Sequence, residues 1–183
     1  MTNEKPTALI VGGTSGLGLE LALLLAETHN VTVVGRRPPT KAGLNFWHFD
    51  LRPDNLDASR LADALSELVE NLPDIDVFVH AAGAREDNEI GGFSDDDIMN
   101  TLSVHLFAPM LLLPRILHSQ NAPVSFIAIT STSQTKAQPR EANYCAAKAG
   151  LAMYAKCAAL DPQVGKVLVA APSGMNTPFW RAR

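Results

Sequence analysis

Short apolar runs alternating with helical segments constrain this chain more than any other feature. The runs are Thr7–Val11, Val31–Val34, Leu44–Phe49, Ile75–Val79, Val124–Thr130 and Val167–Ala170. Each is compact and mostly apolar, several are rich in β-branched residues, and all are too short for a stable helix, so they read as buried strands. Between them lies Gly16–Thr28, with Leu17, Leu21, Leu24 and Leu25 at helical spacing. A second helical segment carries Leu61, Leu65, Leu68 and Leu72 on one face and stops at Pro73. Ala142–Leu160 is an alanine-rich third. Six strands alternating with helices imply an α/β fold with a parallel sheet covered on both faces. Right-handed crossovers make it doubly wound. A length of 183 residues suits one domain, 1–183.

The remaining boundaries follow from local chemistry. Asp54 or Asp57 can cap the helix before Leu61. Ser94 with Asp95–Asp97 opens another, the acids suiting its dipole. Leu102–Ser119 is apolar on most sides, and Pro109 and Pro114 are expected to bend it or remove hydrogen bonds. The stretches 36–39, 85–92 and 131–141 read as loops, and Pro172–Arg183 as an irregular tail.

Ligands of such sheets sit outside the carboxyl ends of the strands. Val11-Gly12-Gly13-Thr14-Ser15-Gly16-Leu17-Gly18 leaves the first strand and enters a helix within a few residues. Glycines there permit the turn and let a phosphate approach the backbone and the free N–H groups of the helix. Gly83, Ser131 and Pro172 fall at the ends of later strands. Tyr144 and Lys148, four apart, project from one helix face. A nearby ammonium favours phenolate and would lower the tyrosine pKa, making an acid or base for neutral pH. The alternative for such a pair is a surface contact. Thr130 and Thr132 flank Ser131, so its role could shift by one position.

Together the GxxxGxG turn, Ser131 and the Tyr144-Cys145-Ala146-Ala147-Lys148 segment resemble the short-chain dehydrogenase/reductase family. The interval of thirteen between Ser131 and Tyr144 is the family's usual one. The resemblance implies a Rossmann-like domain and hydride exchange between a nicotinamide cofactor and a carbonyl or alcohol. Tyr144 would be the acid or base, Lys148 its electrostatic partner and ribose anchor, and Ser131 the group that polarises the substrate carbonyl. Gly12, Thr14, Ser15, Gly16, Leu17 and Gly18 would hold the cofactor's phosphates.

The second strand ends in Gly35-Arg36-Arg37, with no carboxylate to bind ribose hydroxyls. An arginine fork suits a phosphate, so NADP(H) is expected over NAD(H). Arg36 is the first candidate, with Arg37, Thr14 or Ser15 assisting; the alternative is a solvated basic loop. Asp50-Leu51 resembles the family's adenine-holding pair, though Asp50 could equally be a loop or capping aspartate. His80-Ala81-Ala82-Gly83 stands where the family has Asn-Asn-Ala-Gly, and its small residues let adenosine lie against the backbone. Pro172 and Thr177 match a further cofactor segment, with Ser173 in place of glycine. Val11 replaces a usual threonine. His105 occupies the place of the fourth catalytic residue, an asparagine. It is either a tetrad member relaying protons through water or a satisfied buried histidine.

The family continues beyond this chain's last residue into a lid and a seventh strand. An open site, or one closed by a partner subunit, is therefore expected, with Phe179 and Trp180 covering the sixth strand's edge or left exposed. A homodimer or homotetramer through the two long central helices is expected, on Leu106, Met110, Leu111, Leu113 and Ala142–Leu160. Net charge is −4 without a basic stripe, which argues against nucleic acid. No apolar run reaches a membrane span, and Met1–Pro6 lacks a signal core. Cys145 and Cys157 sit about 18 Å apart along one helix by its rise per residue, so they cannot bridge there. His29, His48, His80, His105 and His118 are scattered, and no metal site is expected. A reducing cytoplasm fits best. The rival to an enzyme is a non-catalytic NADP(H)-binding sensor or interaction subunit; a third reading is a fragment that needs a partner.

Overall fold

A computed structural model describes residues 5–52 and 58–177. Strands β1 (Thr7–Val11), β2 (Asn30–Gly35), β3 (Asn45–His48), β4 (Val77–His80), β5 (Val124–Ile129) and β6 (Val164–Ala170) alternate with helices. These are α1 (Gly16–Ala26), α2 (Ala58–Glu70), α3 (Asp95–Leu102), α4 (Ala108–Ser119) and α5 (Ala142–Ala158). The strands form one parallel sheet in the order β3-β2-β1-β4-β5-β6. The direction of winding reverses between β1 and β4, which opens a crevice at their carboxyl ends.

Strand periodicity divides the core. Leu9 and Val11 of β1 face one layer, with Phe78, Phe126, Leu65, Leu112 and Leu151, so α2, α4 and α5 share that face. Ala8 and Ile10 face the other, where Ala22 of α1 meets Val31, Val33 and Val79. β1 is buried at every position because helices cover it on both sides.

Most differences from the sequence reading are at element ends. β6 begins at Val164, three residues earlier than expected. Its Gly165 and Lys166 are exposed on the sheet edge, so no apolar run marks the start. The helix expected from Ser94 and the one expected from Leu102 are continuous over Asp95–Ser119. Ser94 closes a capping box with Asp97 at its start. The prolines do not break it: Pro109 stands at the second position of α4, inside the continuous helix, and Pro114 lies further along. A π turn, Ser103–Phe107, precedes Pro109. This helix also corrects the expectation that no segment is long and apolar enough to span a membrane. By length and composition it is, with mean hydropathy 1.2 over its most apolar window. Its Val104, Ala108, Leu112, Leu113 and Ile116 are buried against the sheet, which accounts for the apolarity. The cap proposed at Asp54 or Asp57, and Phe179 and Trp180, lie outside the described residues.

Candidate active site

The turn after β1 is built on close approach. Gly12 has φ 84° and donates its N–H to the Val34 carbonyl at 2.9 Å. A Cβ at Gly12 would strike the Ala82 backbone, and one at Gly18 would strike the Gly12 carbonyl. The turn, the end of β4 and the first turn of α1 are therefore locked together. Ser15 caps α1 with extended backbone, and its hydroxyl makes no capping bond. Free N–H groups at the head of this helix line the crevice, an arrangement that suits an anion.

One cleft runs along the strand ends. It is lined by the turn (Gly12, Thr14, Ser15, Gly16, Leu17, Gly18), by Arg36, by Asp50 and Leu51, and by Ala81, Ala82 and Gly83. His105, Ser131, Tyr144, Lys148, Pro172 and Thr177 complete the other end. Every sequence-derived site residue but one lines it. Arg37 is exposed and stands outside the lining. Val34, Phe49, Ala84, Ile129 and Met175 also line it, apolar or backbone contributions without a motif of their own.

At the nucleotide end, Asp50 is engaged locally. Its carboxylate takes bonds from the Arg52 side chain, the shortest 2.7 Å, and from the Arg52 N–H. Burial works to raise its pKa, but the Arg52 hydrogen bonds and charge, with a smaller pull from Arg36, hold it below the usual value.

At the other end, Ser131, Tyr144, Lys148 and His105 come together, each nearly or fully buried. Ser131 Oγ accepts from the Ser133 N–H at 3.1 Å and is hydrogen-bonded to the Tyr144 phenol. Lys148 Nζ donates to the Ile129 carbonyl at 2.7 Å and lies 5.8 Å from the Tyr144 ring centroid. Burial pushes the Lys148 ammonium down to about 7. The sequence expectation of a lowered tyrosine pKa is corrected here. Desolvation raises Tyr144; the Ser131 bond opposes it and the Glu141 charge reinforces it. A lysine that is itself half neutral near pH 7 cannot outweigh that burial.

His105 is wholly buried with its ring edge-on to Tyr144, centroids 5.1 Å apart at 84°. Its Nε2 lies 2.6 Å from the Ala84 carbonyl and 3.1 Å from the Ala84 N–H, so either neutral tautomer binds Ala84. Among the described residues its Nδ1 has no hydrogen-bond partner. Desolvation, then the Lys148 charge, keep its pKa well below the ordinary value. It is thus a neutral ring, half satisfied.

One feature escaped sequence reading. Arg85 donates to Glu141 at 2.5 Å, both side chains 9% exposed, and to Asp87 at 2.8 Å. The Asn88 N–H donates to the Arg140 carbonyl at 2.9 Å, and Arg140 adopts φ 63°. The loop after β4 is laced this way to the entry of α5, one turn before Tyr144. The partners are 56 residues apart, so no local pattern joins them. His80, which stands in sequence where the family has asparagine, is buried at the end of β4.

A parallel sheet in this strand order, with a glycine turn between β1 and α1, defines a Rossmann-like dinucleotide-binding fold. The profile of the short chain dehydrogenase family matches residues 6–183, and the chain belongs to that family of oxidoreductases. A curated relative, the 3-oxoacyl-(acyl-carrier-protein) reductase MabA of Mycobacterium avium, is 28% identical over 181 residues, covering 96% of this chain and 69% of its own. Gluconate 5-dehydrogenase from Burkholderia cenocepacia J2315, in complex with NADP and tartrate, aligns with a TM-score of 0.82 at 24% identity, over 98% of this chain and 75% of its own. A 4-hydroxyisoleucine dehydrogenase complexed with NADH aligns with a TM-score of 0.80 at 24% identity, over 94% and 77%. At these identities the structural likeness speaks for the fold.

Proposed function

We propose that this chain is an NADP(H)-dependent oxidoreductase that interconverts a carbonyl and an alcohol on a small molecule. One observation carries the reading. A single cleft has the glycine turn and the head of α1 at one end and Ser131, Tyr144 and Lys148 at the other. The residues present fit such a cofactor. The α1 amides and Thr14 would hold phosphates, and Ala81, Ala82 and Gly83 leave room along the backbone. The bound nicotinamide would supply or take the hydride.

The rest of the chemistry belongs to this chain. Ser131 would orient the carbonyl by hydrogen bonding. Tyr144 would give its phenolic proton to the forming alcohol, the direction favoured by a raised pKa. Lys148, when protonated, would help Tyr144 release that proton and bind a ribose hydroxyl. Arg36 supports NADP(H) over NAD(H), since it lines the cleft at the end of β2 where a ribose-binding carboxylate is lacking. The fold accompanies NADP in one neighbour and NADH in another, so the preference rests on Arg36. With this reading go a cytoplasmic location and a homodimer or homotetramer through α4 and α5.

Equilibrium titration with NADPH and with NADH tests the reading. Micromolar NADPH binding at least about tenfold tighter than NADH, about 1.4 kcal/mol, is expected. No binding of either nucleotide removes it. The buried, neutral His105 beside Tyr144 favours one rival, a nucleotide-binding subunit without turnover. That rival predicts tight NADPH binding with no oxidation of NADPH by any carbonyl.

A further inference from the structure

We propose that His80 is a positioning residue, bracing the π turn that carries His105 into the cleft through a hydrogen bond to the Val104 carbonyl. The proposal rests on the reading of the cleft given above.

The argument begins with the helix. In an α-helix the Val104 carbonyl would accept from the Ala108 N–H. That N–H is turned to the Ser103 carbonyl, five residues back. In the register this creates, the next donor to Val104 would be residue 109, which is a proline and has none. The Val104 carbonyl therefore has no partner within its own helix, in a residue only 5% exposed. A buried carbonyl in that state is costly.

His80 supplies the partner, with Nε2 2.9 Å from Val104 O. A carbonyl only accepts, so Nε2 must carry the proton. Burial pushes the ring's pKa down to about 3, so near neutrality there is one proton, and Nδ1 is bare. Among the described residues Nδ1 has no partner, which leaves the bond to Val104 as the ring's one hydrogen bond to them. The adjoining residue, His105, holds Ala84 and packs edge-on against Tyr144. A path of contacts thus runs from the end of β4, through the turn and His105, to the phenol. An asparagine at position 80 could also donate; an aliphatic side chain could not.

The test is a double-mutant cycle of His80→Leu and Pro109→Ala, with His80→Asn as the conservative variant. Pro109→Ala returns an N–H in register for the Val104 carbonyl, so it should make His80 dispensable. Amide hydrogen exchange, NADPH affinity and steady-state kinetics are measured. His80→Leu should speed exchange across 103–108 by about tenfold or more, with α1 and β2 unchanged. It should lower kcat about tenfold or more while the NADPH Kd stays within about threefold. In the Pro109→Ala background both effects should shrink to under about threefold. His80→Asn should group with the wild type. Unchanged exchange across 103–108 in His80→Leu, or effects of equal size with and without Pro109, overturns the proposal. If His80→Leu does not fold alone, recovery in the double variant supports the role, and failure of the double variant overturns it. Absence of wild-type turnover would count against the oxidoreductase reading alone, because exchange still decides the role of His80.

Discussion

Tyr144 enters the cleft protonated, and Lys148 enters it poised near pH 7. Tyr144→Phe keeps the ring that packs against His105 and removes only the hydroxyl. Carbonyl reduction should fall by about a thousandfold or more while the NADPH Kd moves less than about threefold. Turnover near the wild-type rate would remove Tyr144 from the chemistry. Arg36→Ala should erase most of the preference for NADPH, about tenfold, and leave NADH binding near its wild-type value; equal losses for both nucleotides would show that Arg36 reads no 2′-phosphate. Ser131, Tyr144 and Lys148 were legible because their spacing is local and the turn marking the other end of the cleft is too. The tyrosine's acidity was not, since burial set by distant residues decides it. Arg37 stands outside the cleft lining, because sequence cannot tell which of two adjacent arginines lines a cleft.

The turn between β1 and α1 shows how an element boundary can be read in advance. Apolar run, glycines and helical leucines fall in order along one short stretch, so strand, turn and helix were all expected there. Gly18→Ala places a methyl against the Gly12 carbonyl. It should cost on the order of 2 kcal/mol by chemical denaturation and weaken NADPH binding well over tenfold. A variant as stable as the wild type would mean that the backbone gives way easily. The continuous helix from Asp95 was read in two pieces, because proline and the change from polar to apolar composition both suggest a boundary. The structure absorbs them in a π turn whose loose carbonyl is met from another strand, and such a partner cannot be seen locally.

At the level of the whole molecule, the buried imidazoles link stability to pH. His80 has a folded pKa near 3 against 6.5 unfolded, and His105 is shifted the same way. Both depressed values favour the neutral ring, so the histidines' contribution to stability is complete above pH 6.5 and declines as pH falls toward 3. The slope should approach about 1.4 kcal/mol per pH unit for each ring. Urea midpoints from pH 8 to 4 would show it, and a flat profile below 6.5 would contradict both assignments. Glu141→Ala removes the buried ion pair that ties Arg85 to the entry of α5 and should cost about 1–3 kcal/mol by the same measurement; no change would mean that the remaining contacts of Arg85 suffice. The gathering of strand ends into one cleft followed from the alternating pattern, whereas the lacing of the loop after β4 to α5 needed the assembled fold. The Lys148 ammonium, finally, is tied to a main-chain oxygen, that of Ile129. Side-chain replacement at 129 leaves that acceptor in place, so the amine's anchor is insensitive to mutation at its own partner residue. What it depends on is the path of the fifth strand, and damage should come from insertions or deletions that shift that strand's end.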